Sequence, residues 1–310
     1  MPSATAPLLA LVGPTASGKT EAGIRIAQSL GAEIVSVDSM LIYRGMDIGT
    51  AKPTAAQRRQ VPHHLLDLAD PSEPFSVARY QSSAKEVLSD LGTRGVVPLL
   101  VGGSGLYFRA CVDDLEFPAT DAALRAELQL QADGLGAARL YERLRDLDPV
   151  AAAKIEPGNV RRTIRALEVA GLTGRPFSSF ATAWESYPDG RVAAAGIAID
   201  RAVLNDRIAR RVDAMARAGW IEEVTRLVQA GFGGWLTATQ AIGYAELAHH
   251  LEGDRSLEEA MTLTVKRTKQ LARRQLAWFR RDPRIRWFPA GEGGAMEVVD
   301  DIARYLGAGR

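Results

Sequence analysis

Short apolar runs alternate with amphipathic stretches through the first third of the chain. Residues 7–12 (PLLALV) form an apolar run that stops at Gly13 and reads as a buried strand. Residues 20–30 space Ala22, Ile26 and Leu30 on one helix face, with Gly31 placed to end the helix. Residues 33–37 (EIVSV) read as a second strand with Asp38 at its end, and residues 96–101 (VVPLLV) as a third, closed by Gly102, Gly103, Ser104 and Gly105. Helical spacing over residues 77–91 lies between them. This alternation predicts a parallel sheet covered by helices on both faces.

The texture changes after about residue 115. Residues 121–133, 137–147 and 159–170 are rich in Ala, Leu and Arg with helical periodicity and no strand signal, and a polar, aromatic stretch follows over 176–190. Residues 192–199 (VAAAGIAI) read as a return strand, and residues 206–229 and 257–281 as two long helices. In the last of these Met261, Val265, Ala272, Leu276 and Phe279 form the expected buried stripe. Lys266, Arg273 and Arg280 recur every seven residues on the other side.

Composition excludes several classes. Of 310 residues, 46% are hydrophobic and 24% charged, which is enough apolar mass for a packed core. No run approaches the roughly 18–20 apolar residues that cross a bilayer. The opening segment has no basic region ahead of its apolar run, so no leader peptide is expected there and the expected location is the cytoplasm. The single cysteine, Cys111, excludes an intramolecular disulfide and a cysteine-based zinc or iron–sulfur site. The histidines come as two adjacent pairs, His63/His64 and His249/His250, which argues against a histidine-only metal site. Thirty-eight basic and 37 acidic residues leave a net charge of +1, yet the charges are segregated. Nine Lys/Arg and one acid, Asp282, lie between Lys266 and Arg286; Arg201, Arg207, Arg210 and Arg211 form a second cluster, and Arg161, Arg162 and Arg165 a third. Such segregation fits either a localised anion-binding surface or a set of solvated helix faces.

Gly13, Pro14, Thr15, Ala16, Ser17, Gly18, Lys19 and Thr20 match G-x-x-x-x-G-K-[ST] at every fixed position, between a strand and a helix. Glycines let backbone N–H groups turn onto a polyphosphate, Lys19 brings a positive charge to its terminal groups, and the Thr20 hydroxyl suits Mg²⁺. The motif specifies a polyphosphate and a metal, and does not specify ATP. The expected fold class is therefore α/β: a P-loop NTPase-like parallel sheet flanked by helices, with core segments 1–116 and 191–310 and a helical insertion domain over 117–190. Asp38, at the carboxyl end of the neighbouring strand, should face the phosphates. It reads as a metal-binding carboxylate, a general base, or a turn cap with Ser39.

The string from Asp38 to Pro53, DSMLIYRGMDIGTAKP, is demanded by nothing in general P-loop physics. It resembles the signature of the tRNA dimethylallyltransferases (tRNA isopentenyltransferases), D-S-x-x-x-Y-x-G-x-D-I-G-T-A-K-P after G-P-T-x-x-G-K-[ST]. Further strings follow in order: PHHLLD from Pro62, SVA from Ser76, GGSGLY from Gly102, RALEV from Arg165, IGY from Ile242, and Arg274-Gln275 with Trp278-Phe279. Together they span residues 13 to about 281. Ser104 stands where the family usually has Thr, and Leu41 where many members carry Gln. The sequence ends without the zinc-finger extension of eukaryotic relatives, so a bacterial-type enzyme is expected.

The resemblance implies transfer of a dimethylallyl group from dimethylallyl diphosphate to N6 of adenosine 37 in a tRNA anticodon loop, with release of diphosphate and with Mg²⁺ as cofactor. It makes Asp38 the general base, with Lys19, Thr20 and an arginine on the leaving group; Arg211 is the candidate and Arg207 the fallback. It places Asp38, Ser39, Met40, Leu41, Ser104, Arg161, Arg162, Thr163, Ile164, Arg165, Gln240, Gly243, Tyr244, Arg273, Arg274, Gln275 and Arg280 against the RNA. The expected partners are the tRNA anticodon stem-loop and dimethylallyl diphosphate; no membrane is expected, and the chain is taken as a monomer. Trp278 and Phe279 are expected in the core, and His63/His64 in a loop without a chemical role. A small-molecule kinase would explain Gly13–Thr20 and Asp38 but not the basic C-terminal helix. An adenylate isopentenyltransferase would not need the helical insert, and a GTPase-like switch would need a guanine motif that the sequence lacks.

Overall fold

A computed structural model describes residues 7–180, 184 and 186–308. The elements are, in order, β1 (Leu8–Val12), α1 (Lys19–Leu30), β2 (Ala32–Ser36), α2 (Ala55–Gln60), β3 (His63–His64), α3 (Val77–Thr93), β4 (Val97–Gly102) and α4 (Gly105–Val112). Helices α5 (Ala122–Leu135), α6 (Ala137–Leu147), α7 (Pro149–Ala152) and α8 (Val160–Thr173) follow. Then come β5 (Val192–Ile199), α9 (Arg201–Arg217), α10 (Trp220–Gln229), α11 (Tyr244–Leu251), α12 (Leu257–Phe279), β6 (Ile285–Ala290) and α13 (Val299–Ala308). The chain divides into two compact units, Asp113–Tyr187 and the remainder.

The larger unit is built on one parallel sheet in the order β3-β2-β4-β1-β5-β6. Its central strands are apolar throughout because both faces are covered. Leu9, Leu11, Ile34, Leu99 and Ile197 pack with Ile26 of α1 and Ile302 and Leu306 of α13. Gly23 of α1 lets the helix lie close to the sheet, since a Cβ there would stand 3.1 Å from Val101. The smaller unit packs Leu128, Leu140, Leu144, Ile164 and Leu167 into its own core. Among the described residues no helix is long and apolar enough to cross a membrane.

The structure differs from the sequence reading at five points. The helix expected over 206–229 is two helices. Asp200 caps α9 by accepting from the Ala202 N–H at 2.7 Å, so the helix starts earlier, and Gly219 at φ 96° separates it from α10. Only glycine takes that conformation cheaply, and the break turns Trp220 inward to 1% exposure. His63 and His64 are not loop residues: they pair with Ile34 and Val35 as an edge strand. β6 was not anticipated; Pro289 disguises it, and proline is tolerated here because the strand lies at the sheet edge. On α12 the buried positions are Ala260, Thr264, Ala272 and Phe279, while Met261, Val265 and Leu276 are half-buried. The inward face is more polar than the hydrophobic count implied because Thr264, Thr268, Leu271 and Gln275 line a cleft. Phe279 is in the core as expected, but Trp278 is 38% exposed and packs against Gly105, where a Cβ would come within 1.9 Å of it. Part of the polar stretch at 176–190 (181–183 and 185) lies outside the described residues.

The β2–β3 edge is closed by charge. Glu33 accepts two hydrogen bonds from Arg94, at 2.8 and 2.9 Å, and pairs with His64 Nε2 at 2.6 Å. Arg94, aided by His64, holds the Glu33 carboxyl at about 2, below its ordinary 4.5. A depressed carboxylate stabilises the fold fully above its unfolded pKa and loses that contribution as pH falls through the folded value. Arg94→Ala should therefore lower the stability at pH 6 and do so far less near pH 2, where Glu33 is becoming protonated. Urea unfolding of both proteins at the two pH values checks this; an effect that did not shrink with acid would remove Glu33 as its cause.

Candidate active site

The loop between β1 and α1 is shaped from outside. Arg207 Nε donates to the Ala16 carbonyl at 2.8 Å and its guanidinium also bonds the Glu292 carbonyl, while the Ala295 N–H donates to the Ser17 carbonyl at 2.8 Å. These bonds pull carbonyls outward and hold Ala16 at φ 62°, a left-handed conformation that a non-glycine residue keeps only when its surroundings impose it. The N–H groups of Gly18, Lys19 and Thr20 open α1, where no intrahelical acceptor exists. Together with the helix dipole they make an anion cradle.

Lys19 Nζ lies across this loop, donating to the Pro14 carbonyl at 2.6 Å and the Ser17 hydroxyl at 3.4 Å. Burial, reinforced by Arg211 and opposed by Asp38, lowers its pKa from 10.5 to about 7. Arg211 is itself pushed down by burial, a shift that Asp38 counters and Arg207 adds to. The pattern places two cations and one carboxylate within electrostatic reach of each other. An anion bound in the loop favours charged Lys19 and raises its pKa. Binding of inorganic diphosphate at pH 8 should therefore take up close to one proton more than binding to a Lys19→Met variant, and the two should differ little near pH 5, where Lys19 is already charged. Titration calorimetry in buffers of different ionisation enthalpy gives the proton count for each protein; equal counts at pH 8 would contradict it.

The loop opens into a cleft of about 490 Å³. Thr15, Ala16, Ser17, Gly18, Lys19, Thr20, Asp38, Ser39, Met40, Leu41, Arg211, Gln240, Arg274 and Gln275 all line it, with Trp220 and the segment around Gly49–Pro53. The Asp38 carboxylate accepts from the Met40 N–H at 2.9 Å, which is a turn contact, and still faces the cleft through its position beyond β2. Arg207 is occupied with the outside of the loop, whereas Arg211 lines both the cleft and a smaller arginine-lined cavity of about 250 Å³.

Several residues expected at the RNA are committed elsewhere. Tyr244 is wholly buried and donates its hydroxyl to Glu223 at 2.6 Å, and Gly243 packs under Trp220 so closely that a Cβ would meet the ring at 2.0 Å. Thr163 and Ile164 are 1% and 3% exposed, on the inward face of α8. Arg165 donates to Glu168 at 2.7 Å and to the carbonyls of Pro118 and Ala119. Gln275 Oε1 accepts the Thr15 N–H at 2.8 Å, so this amide serves to join α12 to the phosphate loop and is withdrawn from the cradle. Ser104 begins α4, its hydroxyl accepting from the Tyr107 N–H at 3.4 Å. Arg161 and Arg162 are exposed, and so are Lys266, Arg273 and Arg280, as the spacing of the last three predicted.

Sequence reasoning missed Glu223. This buried carboxylate on α10 accepts the N–H groups of Asp47 and Ile48, each at 2.9 Å, and of Gly49 at 3.3 Å, pinning one wall of the cleft. Gly49 permits the approach, for a Cβ would stand 2.1 Å from Trp220 Nε1. An acid on the apolar side of an amphipathic helix is the only signal of this role in the sequence.

A parallel sheet with a phosphate loop after β1 and a carboxylate beyond β2 places the chain among P-loop α/β proteins. Comparison with known proteins narrows this. The IPP transferase profile matches residues 41–282, and that of isopentenyl transferase residues 6–69. A tRNA dimethylallyltransferase of Desulforudis audaxviator is 48% identical over 302 residues, covering 96% of this chain and 97% of that one. Another, of a Nocardioides species, is 49% identical over 301 residues, covering 97% of each. The full-length tRNA isopentenylpyrophosphate transferase of Bacillus halodurans superposes with a TM-score of 0.69 at 40% identity, covering 98% of both chains. The chain belongs to the IPP transferase family.

Proposed function

We propose that the protein transfers the dimethylallyl group of dimethylallyl diphosphate to N6 of adenosine 37 in a tRNA anticodon loop. The observation that carries this is the meeting of an anion cradle, two cations and one carboxylate in a single cleft. The exocyclic amine of adenine is a weak nucleophile because its lone pair is delocalised into the purine. Its nitrogen bonds to the allylic carbon as the carbon–oxygen bond to diphosphate breaks. Asp38 takes the N6 proton while the new bond forms. Negative charge gathers on the leaving diphosphate, where the loop amides, Lys19 and Arg211 receive it. The Thr20 hydroxyl, a hard oxygen donor on the same cleft, suits Mg²⁺. Once bound, Mg²⁺ supplies further charge to the diphosphate.

Adenosine 37 has to leave the loop stack to reach Asp38, at a cost of a few kcal/mol. The exposed basic face of α12 (Lys266, Arg273 and Arg280) offsets this by holding the RNA backbone, and Arg274 extends the charge into the cleft. In this reading the protein works in the cytoplasm as a single chain.

Labelled dimethylallyl diphosphate and Mg²⁺, incubated with unmodified tRNA carrying adenosine 37 or with AMP, test the proposal. Label in tRNA alone is the expected result. Label in AMP would move the function to free nucleotides, and ATP consumption without label transfer would favour a kinase.

A further inference from the structure

The D-I-G-T-A-K-P and H-L-L-D strings take no part in the chemistry above, yet they meet at one buried ammonium. The Lys52 side chain is 1% exposed and pairs with Asp47 Oδ1 and Asp67 Oδ1, each at 2.7 Å. Its third bond goes to the Tyr43 carbonyl at 2.5 Å. Three acceptors saturate the ammonium.

The three partners depend on Lys52 unequally. Asp67 keeps a second cation, Arg58, at 2.7 Å, and Asp47 has a 58% exposed side chain that water can serve. Tyr43 is wholly buried, so loss of Lys52 deprives its carbonyl of a donor that water cannot easily replace. From Tyr43 the bonds run onward. Its N–H donates to the Met40 carbonyl at 3.4 Å, and the Met40 N–H donates to Asp38 Oδ1 at 2.9 Å. The same turn is held from the side by the Asp67 N–H on the Leu41 carbonyl at 3.2 Å and the Ala69 N–H on the Ile42 carbonyl at 3.0 Å. Ala51, Leu65 and Asp67 sit at φ 52°, 62° and 56°, so the segments that converge on Lys52 are kept in conformations that isolated residues avoid.

We propose that Lys52 is a positioning residue for Asp38: acting through the Tyr43 carbonyl and the Met40 turn, its ammonium sets the direction in which the Asp38 carboxylate faces the cleft. This rests on the reading of Asp38 as the base. The competing role for Lys52 is mere charge compensation of Asp47 and Asp67.

Lys52→Met and the charge-balanced double variant Lys52→Met/Asp47→Asn separate the two. Each is checked for cooperative urea unfolding and assayed with dimethylallyl diphosphate and an anticodon stem-loop carrying adenosine 37. Misplacing a reacting group by about an ångström costs about 10²-fold in rate. Both variants should lose about that factor in kcat, while donor KM and stem-loop Kd stay within about threefold. Should Lys52→Met unfold, the double variant carries the test. Recovery of kcat in the double variant would reduce Lys52 to a charge partner and overturn the proposal, as would donor KM and stem-loop affinity worsening in step with kcat. Asp38→Asn is run alongside. Full activity there would sink the base reading itself, whereas an inactive Asp38→Asn beside fully active Lys52 variants would sink only the positioning role.

Discussion

Asp38→Asn should reduce single-turnover prenyl transfer by about 10³-fold while leaving stem-loop affinity within about threefold. The substitution keeps a side-chain oxygen for the Met40 N–H, so the turn at the end of β2 is preserved and only the proton acceptor is lost. N6 of adenine has to shed a proton as the new bond forms, and without a base the product develops a cationic amine next to Lys19 and Arg211. The two cations that stabilise the leaving group would then oppose the nucleophile. Filter binding gives the affinity, and rapid quench with labelled donor gives the rate. A loss of RNA affinity with intact transfer would assign Asp38 to binding instead.

Arg211→Met should lower kcat by about 10²–10³-fold, with a smaller effect on stem-loop affinity. The guanidinium is half-buried, destabilised by its surroundings, and held beside Asp38 and Lys19. A cation so placed gains most when negative charge grows on the diphosphate, which happens on the way to the transition state. Arg207→Met supplies the contrast. Arg207 braces the outside of the phosphate loop through the Ala16 and Glu292 carbonyls, so its loss should appear mainly in donor KM. Steady-state kinetics on both variants decides the matter. If Arg207→Met were the one to lose kcat at unchanged KM, the two arginines would exchange roles.

The strands around the site were legible because each is a short apolar run that ends in a glycine or an acid. A strand buried on both faces needs an unbroken apolar run, and a phosphate loop needs glycine where φ is positive, as at Gly18 with φ 86°. The basic face of α12 was legible for the same reason, since Lys266, Arg273 and Arg280 follow helical spacing and spacing is local. β6 and the break at Gly219 were not. A proline-bearing edge strand and a single glycine within an amphipathic run both contradict the local pattern unless the neighbouring segments are known.

By itself, then, the sequence determined the phosphate loop, the carboxylate beyond β2, the parallel sheet and the family resemblance. All of these are written in contiguous residues whose backbone conformation or burial follows from their own chemistry. Only the tertiary structure decided which polar groups serve one another. Gln275 takes the N–H of Thr15 across 260 positions of chain, and Glu223 takes those of Asp47 and Ile48 across 176 and 175. Lys52 and Asp67 stood in quoted strings without a role until the fold brought them together at 2.7 Å. Local periodicity reports whether a side chain is buried. It cannot report which distant donor or acceptor fills that buried space, and a buried charge depends on its partners for both its stability and its orientation.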